Sequence, residues 1–220
     1  MSRAQKQNRN EWPYRLLLPL IDFLFFLLFT PKIINRENIP PKGRVVIAAN
    51  HKHAFDPIIL MVSTTRPIHF LAKKEHFKGH FGWLFNMMSC IYVDREKHDG
   101  SALRESIMFL NDDKVIGIFP EGTRNRTNDL VFQEFKYGAV AMAKHTRAPI
   151  IPATITGDYK LFSKNLMITF GEPIAVPESM PLEEANTELQ ERMKKLWYSN
   201  LDRTGRSEEQ ELNSRKTEKQ

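Results

Sequence analysis

The feature that most restricts the fold is a regular alternation, from Lys32 onward, of short β-branched runs with segments of helical pattern. Residues 45–49, 68–72, 91–93, 115–119, 150–155 and 167–170 read as strands. Between them, residues 57–64, 101–110 and 138–145 read as helices; Leu103, Ile107 and Leu110 fall at helical spacing, with Ser101 placed to cap the turn before them. Residues 182–200 read as a long amphipathic helix that sets Leu189, Met193, Leu196 and Trp197 on one face. Its early Glu183 and Glu184 and late Lys194 and Lys195 suit the helix dipole. Strands interleaved with helices predict a layered α/β/α domain on a mixed, largely parallel sheet. This domain is expected over residues 32–201. Residues 202–220 are charged and polar with Leu212 as their one aliphatic side chain, and are expected to form a disordered tail.

Residues 1–31 are of a different kind. A basic opening (Arg3, Lys6, Arg9) leads into the apolar run W-P-Y-R-L-L-L-P-L-I-D-F-L-F-F-L-L-F at 12–29. Arg15, Pro19 and Asp22 interrupt it, which suits a spanning helix poorly, and no small-residue cleavage pattern follows. Its density of Leu and Phe fits a helix lying in the bilayer interface, with Trp12 and Tyr14 at headgroup level. The competing reading is a helix packed on the protein's own core, although consecutive Leu27, Leu28 and Phe29 would leave a single core face overfull.

The net charge of +6 calls for an anionic partner. An anionic membrane surface and an acidic carrier protein both qualify. Nucleic acid is disfavoured, because the basic residues form no stripe interleaved with aromatics. The single cysteine, Cys90, excludes an intrachain disulfide and fits a reducing compartment.

Three polar constellations close strand-like runs, where sites in α/β sheets lie. N-H-K-H-A-F-D-P at 50–57 offers His51 and Asp56; a loop turning between them lets the carboxylate hold one imidazole nitrogen protonated while the other accepts a substrate proton. Asp56 before Pro57 is also a good helix N-cap, and His53 is a rival for the base. His-x-His alone makes half a metal site, and no third ligand spacing supports one. F-P-E-G-T-R-N-R at 119–126 combines Gly122 for close backbone approach, the Thr123 hydroxyl and the forked donor Arg124, a set suited to an anion. Lys136 follows in E-F-K-Y-G-A, and Y-V-D-R at 92–95 offers Arg95. For each arginine the alternative is a solvated side chain.

The ordered set N-H-x-x-x-x-D, Y-V-D-R, F-P-E-G-T-R and A-P-I-I-P-A (148–153) resembles the glycerolipid acyltransferases, and among them the 1-acylglycerol-3-phosphate acyltransferases. E-N-I-P at 37–40 and F-K-x-G at 135–138 match as well, so the resemblance covers residues 37–173. It implies His51 as general base and Asp56 as the group that orients it. It implies Glu121, Gly122, Thr123, Arg124 and Arg95 as the acceptor-phosphate site, with Asn50, Lys136 and Pro152 in support. The implied reaction moves a fatty acyl group from acyl-carrier protein or acyl-CoA to the sn-2 hydroxyl of 1-acylglycerol 3-phosphate, giving phosphatidic acid. It needs no metal or bound cofactor, and takes place on the cytoplasmic face of a membrane that the protein meets peripherally. Another acceptor (glycerol 3-phosphate, another lysolipid or an amine) and a non-catalytic lipid-binding role are the alternatives. One departure from the pattern is Ser89, where relatives carry glycine six residues before the arginine.

Overall fold

A computed structural model describes residues 11–78, 82–93, 100–127 and 129–215. The strands are β1 (Lys32–Ile34), β2 (Val45–Ala49), β3 (Ile68–Lys73), β4 (Ile91–Val93), β5 (Val115–Ile118), β6 (Ile150–Thr156) and β7 (Met167–Phe170). The helices are α1 (Trp12–Phe29), α2 (Asp56–Val62), α3 (Lys74–Lys78), α4 (Gly82–Met87), α5 (Ser101–Asn111), α6 (Gly138–Thr146), α7 (Leu182–Thr204) and α8 (Glu208–Ser214). One seven-stranded sheet runs β1-β7-β6-β2-β5-β3-β4. Every neighbouring pair is parallel except β6–β7.

The central strand explains the layering. All five residues of β2 are fully buried, as a strand covered on both faces must be. Val45, Ile47 and Ala49 point into a core shared with α1 and α2, whereas Val46 and Ala48 point into a second core shared with α5, α6 and α7. The predicted layered α/β fold is the one observed. The short elements β1, α3 and α4 were not expected.

Parallel pairing then places the chemistry. Strands β6, β2 and β5 are adjacent and run the same way, so their C-terminal ends release residues 157–159, 50–56 and 119–126 side by side. Residues separated by more than a hundred positions in sequence thus converge on one edge.

Several local expectations are corrected. Asp56 does not cap α2: it lies in the helix's first turn, and its carboxylate turns back to the preceding loop. Gly100 rather than Ser101 occupies the N-cap of α5. Tyr14 is not at a headgroup: it is 3 % exposed, and its hydroxyl oxygen accepts the Ile68 N–H. Tyr14, Leu18, Phe25 and Phe29 all enter the core, while Leu16, Leu20, Phe23, Leu24 and Leu27 remain exposed on the other side. The choice between a core face and an outward apolar face therefore dissolves, because α1 has both.

The expected disordered tail is also corrected over residues 202–215, and its last five residues lie outside the described ones. Helix α7 continues to Thr204, and α8 follows behind a capping box in which the Ser207 side chain and Gln210 bond each other's backbone N–H. Glu211 and Arg215 are buried. Charge in the sequence indicated solvent; Arg206, Glu211 and Arg215 are instead held within the protein, while Asp202, Arg203, Glu208 and Glu209 do stay exposed.

Candidate active site

Strand β2 ends in Asn50, whose amide bonds the Ile155 carbonyl at 3.0 Å and accepts the Ile155 N–H at 2.7 Å. This double bond ties the strand end to β6 and fixes where the chain leaves the sheet. His51 comes next, and both of its peptide groups are held: its N–H donates to Glu121 Oε1 at 2.8 Å, and its carbonyl accepts the Asn125 N–H at 2.6 Å. The imidazole stacks on Phe119 with centroids 4.1 Å apart. Backbone and ring are both set by the F-P-E-G-T-R-N segment leaving β5.

His51 Nδ1 lies 2.8 Å from Asp56 Oδ2. The same oxygen accepts the Lys52 and His53 N–H groups, each at 2.7 Å, and Oδ1 accepts the Tyr159 hydroxyl at 2.7 Å. An oxygen already accepting two N–H bonds faces the ring as an acceptor, which assigns Nδ1 as the donor and makes Nε2 the accepting atom of the neutral imidazole. Asp56 is fully buried, while the His51 side chain retains 18 % exposure, which gives a reactant access to the base.

His53 is not an equivalent candidate. Its Nδ1 accepts the Phe55 N–H, its ring stacks on Tyr159 at 4.4 Å within an aromatic cluster, and burial pushes its pKa down. Cys90 is no nucleophile: it is 2 % exposed and its thiol is pushed up to about 12 by burial.

The other expected site residues divide. Glu121 is 3 % exposed, and its second oxygen accepts the Gln133 N–H at 2.9 Å. Burial pushes its carboxyl up, against the pull of those backbone donors. Its two oxygens thereby hold the backbone at His51 and at Gln133. Gly122 has φ +70°, a conformation that leaves room for Lys136, whose Nζ would lie 3.1 Å from a Cβ placed there. Thr123, Arg124 and Lys136 are exposed. Glu121, Thr123 and Lys136 contribute to a cleft of about 480 Å³, with Phe135 and Tyr137 among its other walls.

Pro152 does not shape this edge. It pairs in register with Ala48 on the α7 side, and a Cβ at Gly171 would come within 2.9 Å of its ring and 3.0 Å of Leu196. Arg95 lies outside the described residues. Ser89, the departure from the family pattern, is buried with φ +49°, the left-handed conformation that glycine adopts without strain. The backbone bend expected of a glycine is kept.

Three supporting residues had no local sequence signal. Tyr159 reaches Asp56 across 103 positions. Lys52, 4 % exposed, donates to Glu211 Oε1 at 2.6 Å, and Glu211 in turn accepts the Gly157 N–H and pairs with Arg206 at 3.2 Å. Arg215 donates to the carbonyls of Leu130 and Val131, both at 2.9 Å. Through Lys52 and Arg215, the C-terminal segment holds both loops that frame His51.

The sheet edge thus presents an oriented, partly exposed histidine, and the neighbouring segment leaving β5 carries exposed Thr123 and Arg124 and opens on a cleft in which Lys136 stands with Glu121 and Glu134. The chain belongs to the acyltransferase family, whose pattern it matches over residues 30–156. It is 35 % identical over 142 residues to the 1-acyl-sn-glycerol-3-phosphate acyltransferase of Borreliella burgdorferi, a match covering 63 % of this chain and 56 % of that protein. It is 34 % identical over 179 residues to the enzyme of the same name from Bacillus subtilis, covering 75 % and 87 % respectively. The chain thus spans little more than half of one relative and most of the other. Its fold is similar to the crystal structure of the 1-acyl-sn-glycerophosphate (LPA) acyltransferase of Thermotoga maritima, with a TM-score of 0.67 and 22 % identity over 87 % of this chain and 83 % of that one.

Proposed function

We propose that the protein transfers a fatty acyl group from acyl-carrier protein or acyl-CoA to the sn-2 hydroxyl of 1-acylglycerol 3-phosphate, yielding phosphatidic acid at the cytoplasmic face of a membrane. The observation that carries this reading is the His51–Asp56 contact at 2.8 Å, which assigns Nε2 the accepting role, while the His51 backbone N–H is held by Glu121, a wall of the cleft that Thr123 and Lys136 share.

In this mechanism Nε2 takes the proton of the acceptor hydroxyl as its oxygen forms a bond to the thioester carbonyl carbon. Asp56 stabilises the imidazolium that results. Collapse of the tetrahedral intermediate breaks the carbon–sulfur bond, and the departing thiolate takes the proton back from Nε2. The base is regenerated, no acyl-enzyme forms, and no metal or bound cofactor takes part. Lys136 and Arg124 supply cationic donors for the acceptor's phosphate.

The test supplies purified protein with 1-acylglycerol 3-phosphate or monoacylglycerol and with each donor, and identifies products by mass. Phosphatidic acid should form, with monoacylglycerol used poorly. His51→Ala should lower turnover by about 10²–10⁴-fold or more, and His53→Ala by far less. Equal losses from the two variants would reassign the base, and equal use of both acceptors would defeat the phosphate site.

A further inference from the structure

Between β6 and β7 the chain makes a turn whose tip is Leu161 and Phe162, 60 % and 70 % exposed. The turn is closed by the Ser163 N–H on the Lys160 carbonyl at 3.1 Å. Phe162 sits at its third position with φ +61°. That position favours glycine or asparagine, and a bulky aromatic there is a genuine outlier. The fold gains nothing evident from either property, since the ring is left in solvent and the backbone is strained. Two costs at one residue point to a return from outside the chain.

The surroundings say what lies outside. The Phe162 N–H donates to the Leu28 carbonyl at 2.6 Å, so the tip is stitched to the last turn of α1 beside exposed Leu24 and Leu27. Exposed Lys160 and Lys164 flank it, a pattern matched to an apolar layer under anionic headgroups. The base of the turn is rigid: Asn165 bonds both the Asp158 carboxylate at 2.9 Å and the Asp158 N–H at 3.2 Å. Tyr159, three positions before Phe162, holds Asp56.

We propose that Leu161 and Phe162 form a second bilayer-inserting element, which enters an anionic phospholipid interface alongside α1 and sets the height of the His51 edge above the lipid. This rests on the membrane-surface reading above and extends it from a helix lying on the surface to a two-point contact. Two points fix an orientation that a single helix, free to roll about its axis, leaves open. Because the second point is joined to Asp56 through Tyr159, the orientation it fixes is that of the catalytic edge.

The experiment measures partition of the full chain onto vesicles of equimolar phosphatidylglycerol and phosphatidylcholine, with thermal melting in parallel. Phe162→Asn and Leu161→Asn should each weaken partition by about tenfold. Phe162→Asn should leave Tm unchanged or raise it, because asparagine tolerates the left-handed backbone. Activity on acceptor presented in vesicles should fall with partition, while activity on a short-chain, water-soluble acceptor should not change. Wild-type affinity should fall with added salt. A drop in Tm for Phe162→Asn would assign the ring to the protein's own packing and overturn the proposal. So would unchanged partition, or a loss of self-association in place of lipid binding. Leu20→Asn, on the exposed face of α1, separates the two levels: if it releases the protein and the turn variants do not, only this inference fails. If none of them matters, the membrane reading fails too.

Discussion

The two ends of the described chain fasten to the same domain by opposite chemistry. Helix α1 is held by apolar side chains, Tyr14, Leu18, Phe25 and Phe29, and leaves others, among them Trp12, Leu16, Leu20, Phe23 and Leu27, exposed. The segment around α8 is held by charge, through Lys52–Glu211, Arg206–Asp158 and Arg215 on backbone carbonyls. Hydrophobic attachment is non-directional and tolerates a second, lipid-facing side. Ionic attachment in a dry interior is directional and fails sharply when one partner is lost. The apolar end thus presents the protein to its surroundings, while the ionic end holds the loop that carries His51.

The largest break in this comparison is removal of residues up to Thr30. At about 1.5–3 kcal/mol for each of the four buried α1 side chains, the loss is about 6–12 kcal/mol, comparable with the whole stability of a domain. The truncated chain should not melt cooperatively in calorimetry. A cooperative transition near that of the full chain would show that α1 belongs to lipid alone.

Next in size is Glu211→Ala, which strands the Lys52 ammonium in a site where the two side chains are 1 % and 0 % exposed. Removing one member of such a pair costs about 3–5 kcal/mol. The double variant Lys52→Met with Glu211→Leu should recover most of this in urea titration. A single variant as stable as wild type would show that charge does not hold α8.

The smallest effect sharpens the comparison at the other end, where α1 also has an ionic anchor. Glu11 lies 3.3 Å from His69 Nε2 and 2.8 Å from Lys114 Nζ, and these bonds lower its pKa from 4.5 to about 2, His69 most strongly. A depressed carboxyl stabilises the fold above its unfolded pKa and loses that contribution as pH falls through its folded one. Stability should therefore decline between pH values of about 4.5 and 2, and Glu11→Gln should flatten that part of the urea-midpoint profile. An identical slope in the variant would place the acid sensitivity elsewhere.

Much of this was legible before any coordinates. The strands were, because a sheet covered on both faces needs unbroken runs such as Val45–Ala49. His51 and Asp56 were, because they lie five residues apart in one loop, within reach of local reasoning. Lys52 was not: its partner is 159 positions away, and a lysine between two histidines carries no mark of burial. Glu121 was found, but its bonds to two backbone N–H groups were not, since the donors, His51 and Gln133, lie 70 and 12 positions away. Residues 202–215 misled for a related reason: hydropathy scores a charge as exposed and has no term for a partner folded in from elsewhere.

The contact between His51 and Asp56 also decides which way the imidazole faces. Half a rotation about its Cβ–Cγ bond would keep the ring in the same stack against Phe119 but turn a carbon toward the carboxylate. A hydrogen bond to a charged group is worth about 1.5–3 kcal/mol, so the productive face outweighs the flipped one by roughly 10- to 150-fold. Nearly every molecule therefore already holds Nε2 aimed outward, and whatever reaches this edge meets it without waiting for the ring to turn.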